Sequence, residues 1–240
     1  MKALIFNSGL GSRMGDSTRS HPKCMTELTG GETILHRQLR LLAAAGIREV
    51  VITTGPFREQ LAATAAQFPS LAVTLIDNPR YRETNYIYSF HLARAALDDD
   101  LLMLHGDLVF DETLLPAVLA DPKKDICLYD PTRPLPEKDF KCRLSDGELR
   151  EVSVKLSGDG CYTFQPVYKL SKATAAAWLD RVAEFVAAGD TGVYAENALN
   201  TITPSLHILA RSYAGHILDE VDTPEDLLHI DQQLENAHRT

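Results

Sequence analysis

Apolar residues fall in short runs, separated by stretches whose apolar positions recur every three or four residues. The runs at 2–6, 49–54, 71–76, 101–105 and 125–129 predict five strands. Between them, 33–45 carries an apolar stripe of Ile34, Leu35, Leu39, Leu41 and Leu42 and stops at Gly46, which predicts an amphipathic helix. Further helices are expected at 57–68, at 85–97 and at 112–119, the last capped by Asp111. Strand, helix, strand at this spacing implies right-handed crossovers and a mostly parallel sheet in an α/β fold.

The rhythm changes after about residue 130. Residues 131–136 read PTRPLP, a proline-rich connection. Segments 140–144 and 148–152 flank Ser145-Asp146-Gly147, a hairpin signal, and 161–168 reads as another strand. An alanine-rich helix is expected at 172–188, a short one at 196–203, and short strands at 206–209 and 216–218. Thr223 caps a last helix, with Pro224 at its first position and Asp226 in its first turn. No repeat interrupts the pattern. One domain over 1–240 is expected, with a small antiparallel excursion in its second half.

Composition narrows the function classes. A chain of 240 residues, 45% hydrophobic and 24% charged, is ordinary for a globular protein. No apolar run reaches the roughly 18 residues of a membrane span. The first residues read as a strand without a signal-peptide cleavage site, so a cytoplasmic location is expected. A net charge of −9 argues against nonspecific nucleic-acid binding. The cysteines at 24, 127, 142 and 161 share no C-x-x-C spacing, which speaks against zinc and for reduced thiols. Cys24 reads as a small filler.

The chemistry concentrates behind the first strand, in NSGLGSRMGDSTRSHPKCM from Asn7 to Met25. G-x-G-x-x-G fails because position 14 is Met, and no Gly-Lys-Ser/Thr follows to make a Walker loop. What remains is another kind of phosphate loop. Gly9 and Gly11 let backbone N–H groups approach a phosphate. Arg13 adds a planar fork of donors, and Lys23, behind Pro22, a point charge.

Gly9-Leu10-Gly11-Ser12-Arg13 followed by Pro22-Lys23 resembles the signature of the nucleotidyltransferases that activate sugar phosphates and phospho-alcohols. Asn7 and Ser8 stand where that signature usually has two small apolar residues. The resemblance continues through Gly106-Asp107 and ends at Glu220-Val221-Asp222-Thr223-Pro224-Glu225-Asp226. Within the family the chain is most similar to the short bacterial phosphocholine cytidylyltransferases, through Asn78–Phe90 (NPRYRETNYIYSF) and Ala195-Glu196-Asn197. Relatives that make CDP-linked aminoethylphosphonate share the layout. The resemblance implies a three-layer α/β/α Rossmann-like, GT-A-like fold. In it, 1–130 binds the nucleotide and 131–240 the acceptor.

It also implies a reaction in which CMP passes from CTP to a small phosphorylated or phosphonylated acceptor with Mg²⁺, releasing pyrophosphate. Such transfer is chiefly positioning and electrostatics. Arg13 would brace the β- and γ-phosphates, and Lys23 would neutralise charge growing at the α-phosphate. Asp107 and Asp222 would hold the metal, as magnesium favours one or two carboxylates. Asp222 also reads as a helix-end carboxylate, and Glu220 as a substitute ligand. The base pocket would involve Ser8, Gly9, Leu10, Gly11, Ser12, Gly55, Thr84, Asn85, Ser89 and Gly106. Asn85 reads equally as a helix cap.

For the acceptor, a choline-like head wants aromatic faces, with Tyr86, Tyr162, Phe164, Tyr168 and Tyr194 as candidates, though rings at strand spacing are commonly core. Glu196 and Asn197 are candidates for an amine. The choline enzymes carry a Trp in the segment corresponding to 136–143, which here reads PEKDFKCR. Phe140 with Lys138, Lys141 and Arg143 suggests an acceptor with added negative charge or an aminophosphonate. His105 reads as a strand-end histidine satisfied by backbone.

Other readings remain open: a sugar-1-phosphate uridylyl- or guanylyltransferase, a glycosyltransferase, or a nucleotide-binding regulatory module. The second would prefer D-x-D, and His105-Gly106-Asp107 supplies one carboxylate. A homodimer is compatible with the sequence; nucleic-acid and membrane partners are not expected.

Overall fold

The computed structural model describes residues 1–9 and 20–237. Strands β1 (Lys2–Asn7), β2 (Glu49–Thr54), β3 (Ala72–Asp77) and β4 (Leu101–His105) lie parallel in the order β3-β2-β1-β4. Helices α1 (Ile34–Ala44), α2 (Arg58–Ala65) and α3 (Tyr86–Ala93) make the crossovers. After β5 (Leu108–Phe110), α4 (Leu114–Ala120) and β6 (Ile126–Asp130) come β7 (Lys141–Ser145) and β8 (Glu148–Ser153). The long β9 (Cys161–Leu170) runs antiparallel between β4 and β6. Helices α5 (Lys172–Ala187) and α6 (Ala195–Asn200), β10 (Leu209–Ser212), β11 (Leu218–Glu220) and α7 (Pro224–Ala237) complete the chain. The nine-stranded sheet continues as β9-β6-β10-β8-β7.

Side-chain alternation along the central strands builds the three layers. On β1, Ala3 and Ile5 face a core with α1, α2 and α4, while Leu4 and Phe6 face a core with α3, α5 and α6. Trp178 of α5 anchors the second core. Its ring meets Phe90 and Tyr168 edge-on at 5.2 Å each, and its indole N–H donates to Ala195 O at 2.9 Å. That bond sets the first residue of α6 beside α3.

Local punctuation sets several element ends, and the hairpin turn and the last helix cap form as the sequence predicts. The Thr33 side chain accepts from His36 N and caps α1. Asp146 and Gly147 both have positive φ, 55° and 76°, the geometry of a two-residue hairpin turn between β7 and β8. Asp226 accepts from the backbone of Asp222 and Thr223, while Thr223 Oγ1 accepts from Asp226 N, a reciprocal cap on α7.

Elsewhere the sequence expectation is corrected. The short helix starts at Ala195 and ends at Asn200, with a 3-10 turn at Thr203–Ser205. The strands expected at 206–209 and 216–218 form at Leu209–Ser212 and Leu218–Glu220. Three-residue β5 escapes the sequence pattern. It pairs antiparallel with β11, Leu108 opposite Glu220, and this small ladder carries the end of the chain back to β4. Val109 and Val221 there pack with Ile230 and Leu234 of α7. Among the described residues, no helix is long and apolar enough to cross a membrane.

Candidate active site

The carboxyl ends of β1, β3 and β4 open into a cleft of about 530 Å³, the place where parallel α/β sheets bind ligands. Each edge arrives on a different element. Asn7 and Ser8 end β1, a 3-10 turn at Lys23–Met25 brings Lys23, and 78–89 brings Asn78, Thr84, Asn85, Tyr86 and Ser89. His105, Gly106 and Asp107 follow β4, and β11 delivers Glu220.

Two glycines permit this convergence. A Cβ on Gly106 would stand 1.7 Å from Asn7 Oδ1 and 2.7 Å from Phe6 O. One on Gly55 would stand 2.5 Å from Ser8 O. Either would push against the β1 end that floors the cleft.

The charged centre is Lys23. Its Nζ donates to Asp107 Oδ2 at 2.7 Å and to Asp222 Oδ1. Val221 N donates to Asp107 O at 2.9 Å, tying the two acid-bearing segments together. Burial works against the charged ammonium, but the two carboxylates outweigh it and hold the Lys23 pKa above its ordinary value. Burial likewise pushes Asp107 up, and the Lys23 charge prevails and holds it down. Glu220 lies behind this pair. Burial, then repulsion from Asp107 and Asp222, raises it well above the usual carboxylate range.

His105 corrects its sequence expectation. It is not satisfied by backbone: Nδ1 faces Glu220 at 3.8 Å, and buried Nε2 has no hydrogen-bond partner among the described residues. Burial, with the Lys23 charge adding to it against Asp107 and Asp222, lowers its pKa to about 4.

The donor set suits a hard divalent cation. Buried Asp107 Oδ1 has no hydrogen-bond partner among the described residues. Ligand atoms of His105, Asp107 and Glu220 lie within 4.8 Å of one another, as do those of Asp139, Glu220 and Asp222. Oxygen-rich groups with room for phosphate oxygens fit magnesium. Asp139 had no signal in the sequence beyond its place in PEKDFKCR. It reaches the site because residues 138–140, just past the proline-rich connection, line the cleft.

Other predicted residues sort by burial. Leu10, Gly11, Ser12 and Arg13 lie outside the described residues. Asn85 caps α3, its Oδ1 accepting from Tyr86 N at 2.7 Å, and still lines the cleft. Tyr86, Phe140 and Tyr194 form an aromatic wall, with ring centroids 5.9 Å apart for Tyr86–Tyr194 and 5.0 Å for Phe140–Tyr194.

Four acceptor candidates stand away from that wall. Lys141 is buried, and its ammonium donates to Pro136 O and Glu137 O. Tyr162 packs edge-on against Tyr129, and Phe164 belongs to the core. Asn197 points outward, since its neighbours Ala195, Glu196, Ala198 and Leu199 take the buried face of α6.

Glu196 sits one layer beneath the wall, 1% exposed, bonded to the Tyr86 hydroxyl and accepting from the Tyr168 hydroxyl at 3.1 Å. It lies under Tyr86 rather than on the cleft surface. Burial pushes its pKa up to about 8 from an ordinary 4.5. The folded state therefore holds this proton more tightly than the unfolded chain. The resulting stabilisation is complete below pH 4.5 and is lost as pH rises through about 8. Glu196→Gln should flatten that fall, so that the melting temperature of the variant gains on that of the wild type between pH 5 and 9. Parallel curves would contradict the assignment.

Residues 3–136 match the model of the MobA-like NTP transferase domain. The chain belongs to this family. Among relatives, CMP-5'-(3-aminopropyl)phosphonate synthase of Streptomyces rubellomurinus is 34% identical over 137 residues, 56% of this chain and 22% of that protein. Choline-phosphate cytidylyltransferase of Haemophilus influenzae is 37% identical over 114 residues, 48% of this chain and 47% of that protein. The matches thus span about half or less of the length of these relatives. The solved structure of CTP:phosphocholine cytidylyltransferase from Streptococcus pneumoniae superposes with a TM-score of 0.77 at 18% identity, covering 97% of this chain and 98% of that one. That likeness shows the fold, a GT-A-like α/β arrangement, and extends it well beyond the 3–136 segment of this MobA-like chain.

Proposed function

We propose that the protein is a Mg²⁺-dependent cytidylyltransferase that moves CMP from CTP to a small phosphorylated or phosphonylated acceptor and releases pyrophosphate. The observation that carries this reading is the Lys23 ammonium seated between Asp107 and Asp222 at the carboxyl mouth of a parallel sheet. An oxygen of the acceptor's phosphoryl or phosphonyl group attacks the α-phosphorus. The bond to the bridging oxygen breaks, and its electrons leave on pyrophosphate. No side chain needs to become covalently bonded.

Lys23 offers its Nζ to the α-phosphate, where negative charge develops. Asp107 and Asp222, with Glu220 beside them, would hold the divalent cation, which supplies charge neutralisation at the phosphate oxygens. The β1 end and the 78–89 segment would carry the nucleoside. Arg13 is assigned to the β- and γ-phosphates by its place in the motif. The aromatic wall of Tyr86, Phe140 and Tyr194, with Lys138 at the lip, would receive an acceptor having an amine head and an anionic end. The relatives' names, a phosphonate CMP synthase and a choline-phosphate cytidylyltransferase, agree in cytidylyl transfer and differ in acceptor.

Pyrophosphate release tests this, with Mg²⁺, each of CTP, UTP, GTP and ATP, and a panel including phosphocholine, 2-aminoethylphosphonate and sugar 1-phosphates. Release with CTP and an amino-phosphonate or amino-alcohol phosphate is expected. Release only with UTP or GTP and a sugar phosphate would replace the reading. Nucleotide binding without release across the panel would point to a regulatory module.

A further inference from the structure

The floor of the nucleotide end of the cleft is a chain of hydrogen bonds whose direction can be worked out. Asn78 is buried, and its Oδ1 accepts from Arg80 N at 2.9 Å, which fixes the orientation of the amide. Its Nδ2 therefore donates, to Thr84 Oγ1 at 3.1 Å and to Ser89 Oγ at 3.0 Å. Ser89 is fully buried on α3. Its hydroxyl has accepted from Asn78, and its own proton needs an acceptor. Among the described residues the partner in reach is Ser8 Oγ, 3.0 Å away. Ser8 thus accepts from Ser89, and its proton is turned away from the chain.

Ser8 is 7% exposed, lines the cleft, and donates to no protein group among the described residues. A relay of this kind polarises its last member, so Ser8 becomes a stronger donor with a fixed direction. Gly55 helps to hold it there, because nothing larger fits against Ser8 O.

We propose that Ser8 is a specificity-determining residue: a one-way donor that meets the N3 lone pair of cytosine and disfavours uracil. Uracil presents N3–H at the same place, so two donors would face each other with no acceptor between them. The O2 carbonyl is common to both bases and gives no discrimination. A buried donor left facing a donor loses its bond and keeps its desolvation cost, so one such contact changes preference by about tenfold. This side chain replaces a small apolar residue usual in the motif, so the device belongs to this chain's sequence rather than to the shared backbone. Asn78 and Ser89 act as positioning residues through Ser8.

The proposal rests on the nucleotide-cleft reading, and calorimetric titration of the full chain with Mg²⁺ separates the two. The ligands are CTP, UTP and 3-deaza-CTP, which keeps O2 and the amino group but has C–H at position 3. Wild type should prefer CTP over both others by about tenfold or more. Ser8→Ala should bind all three within about threefold of one another, by loss of CTP affinity. Ser89→Ala, which frees the Ser8 hydroxyl to turn, should lose part of the preference without weakening UTP. Equal binding of CTP and 3-deaza-CTP by wild type would overturn the proposal with no dependence on how a variant folds. An equal loss for all three ligands in Ser8→Ala would also overturn it. Either result leaves the transferase reading standing. Failure of wild type to bind any nucleotide would remove both.

Discussion

Lys23→Met is expected to lower the rate of pyrophosphate release by about 10²–10³, while the apolar stem that packs the turn is kept. The ammonium bridges two carboxylates from distant parts of the chain, and the Met side chain offers neither of them a charge or a donor. Its loss has a second consequence. Asp107 is held down by Lys23 and pushed up by burial, and Glu220 already stands high through burial and the charges beside it. Without the ammonium, Asp107 should take up protons more readily in the folded state. The variant's stability should then fall more steeply than the wild type's as pH rises above the ordinary carboxylate value of 3.8.

A divalent cation would oppose that repulsion. Mg²⁺ or Ca²⁺ should therefore raise the melting temperature of Lys23→Met more than that of wild type. This readout does not depend on turnover. Near-normal rates, or identical metal shifts in the two proteins, would remove Lys23 from the centre assigned to it.

How far the sequence reaches depends on how local each cause is. The helix caps at Thr33 and Thr223 and the Asp146-Gly147 turn are contained in three or four consecutive residues. The first strand is legible for the same reason, and Ser8 and Gly9 at its end line the cleft. Pairing of β5 with β11 joins segments about a hundred residues apart, and three apolar residues carry too little pattern to announce it. Asp139 depends on the path of a proline-rich connection, which periodicity does not encode.

The acceptor side shows the same limit from the other direction. Glu196 and Asn197 are adjacent in sequence, but one helical step of about 100° buries the first and exposes the second. Lys141 looked like a cation for the ligand because exposure is the usual state of lysine. Here two backbone carbonyls of the connecting loop claim its ammonium instead. Tyr162 and Phe164 fit a strand alternation that suits a core as well as a binding wall, and sheet neighbours decide between them.

Gly106→Ala should destabilise the protein by about 1–3 kcal/mol and weaken nucleotide binding with it. The added methyl would overlap Asn7 Oδ1 at 1.7 Å and crowd Phe6 O at 2.7 Å. Asn7 is buried, and its Nδ2 has no hydrogen-bond partner among the described residues. Phe6 O accepts from Gly106 N at 3.1 Å, and its neighbours on β1 are locked by ladders to β2 and β4. The two contacts therefore predict a partial rescue. Asn7→Ala in the Gly106→Ala background should recover the share due to the side-chain overlap and leave the share due to Phe6 O. A double-mutant cycle read by denaturant unfolding measures the division. Strict additivity of Asn7→Ala and Gly106→Ala would mean that the β1 and β4 ends do not press on one another. The close approach that places Asp107 beside Lys23 would then need another cause.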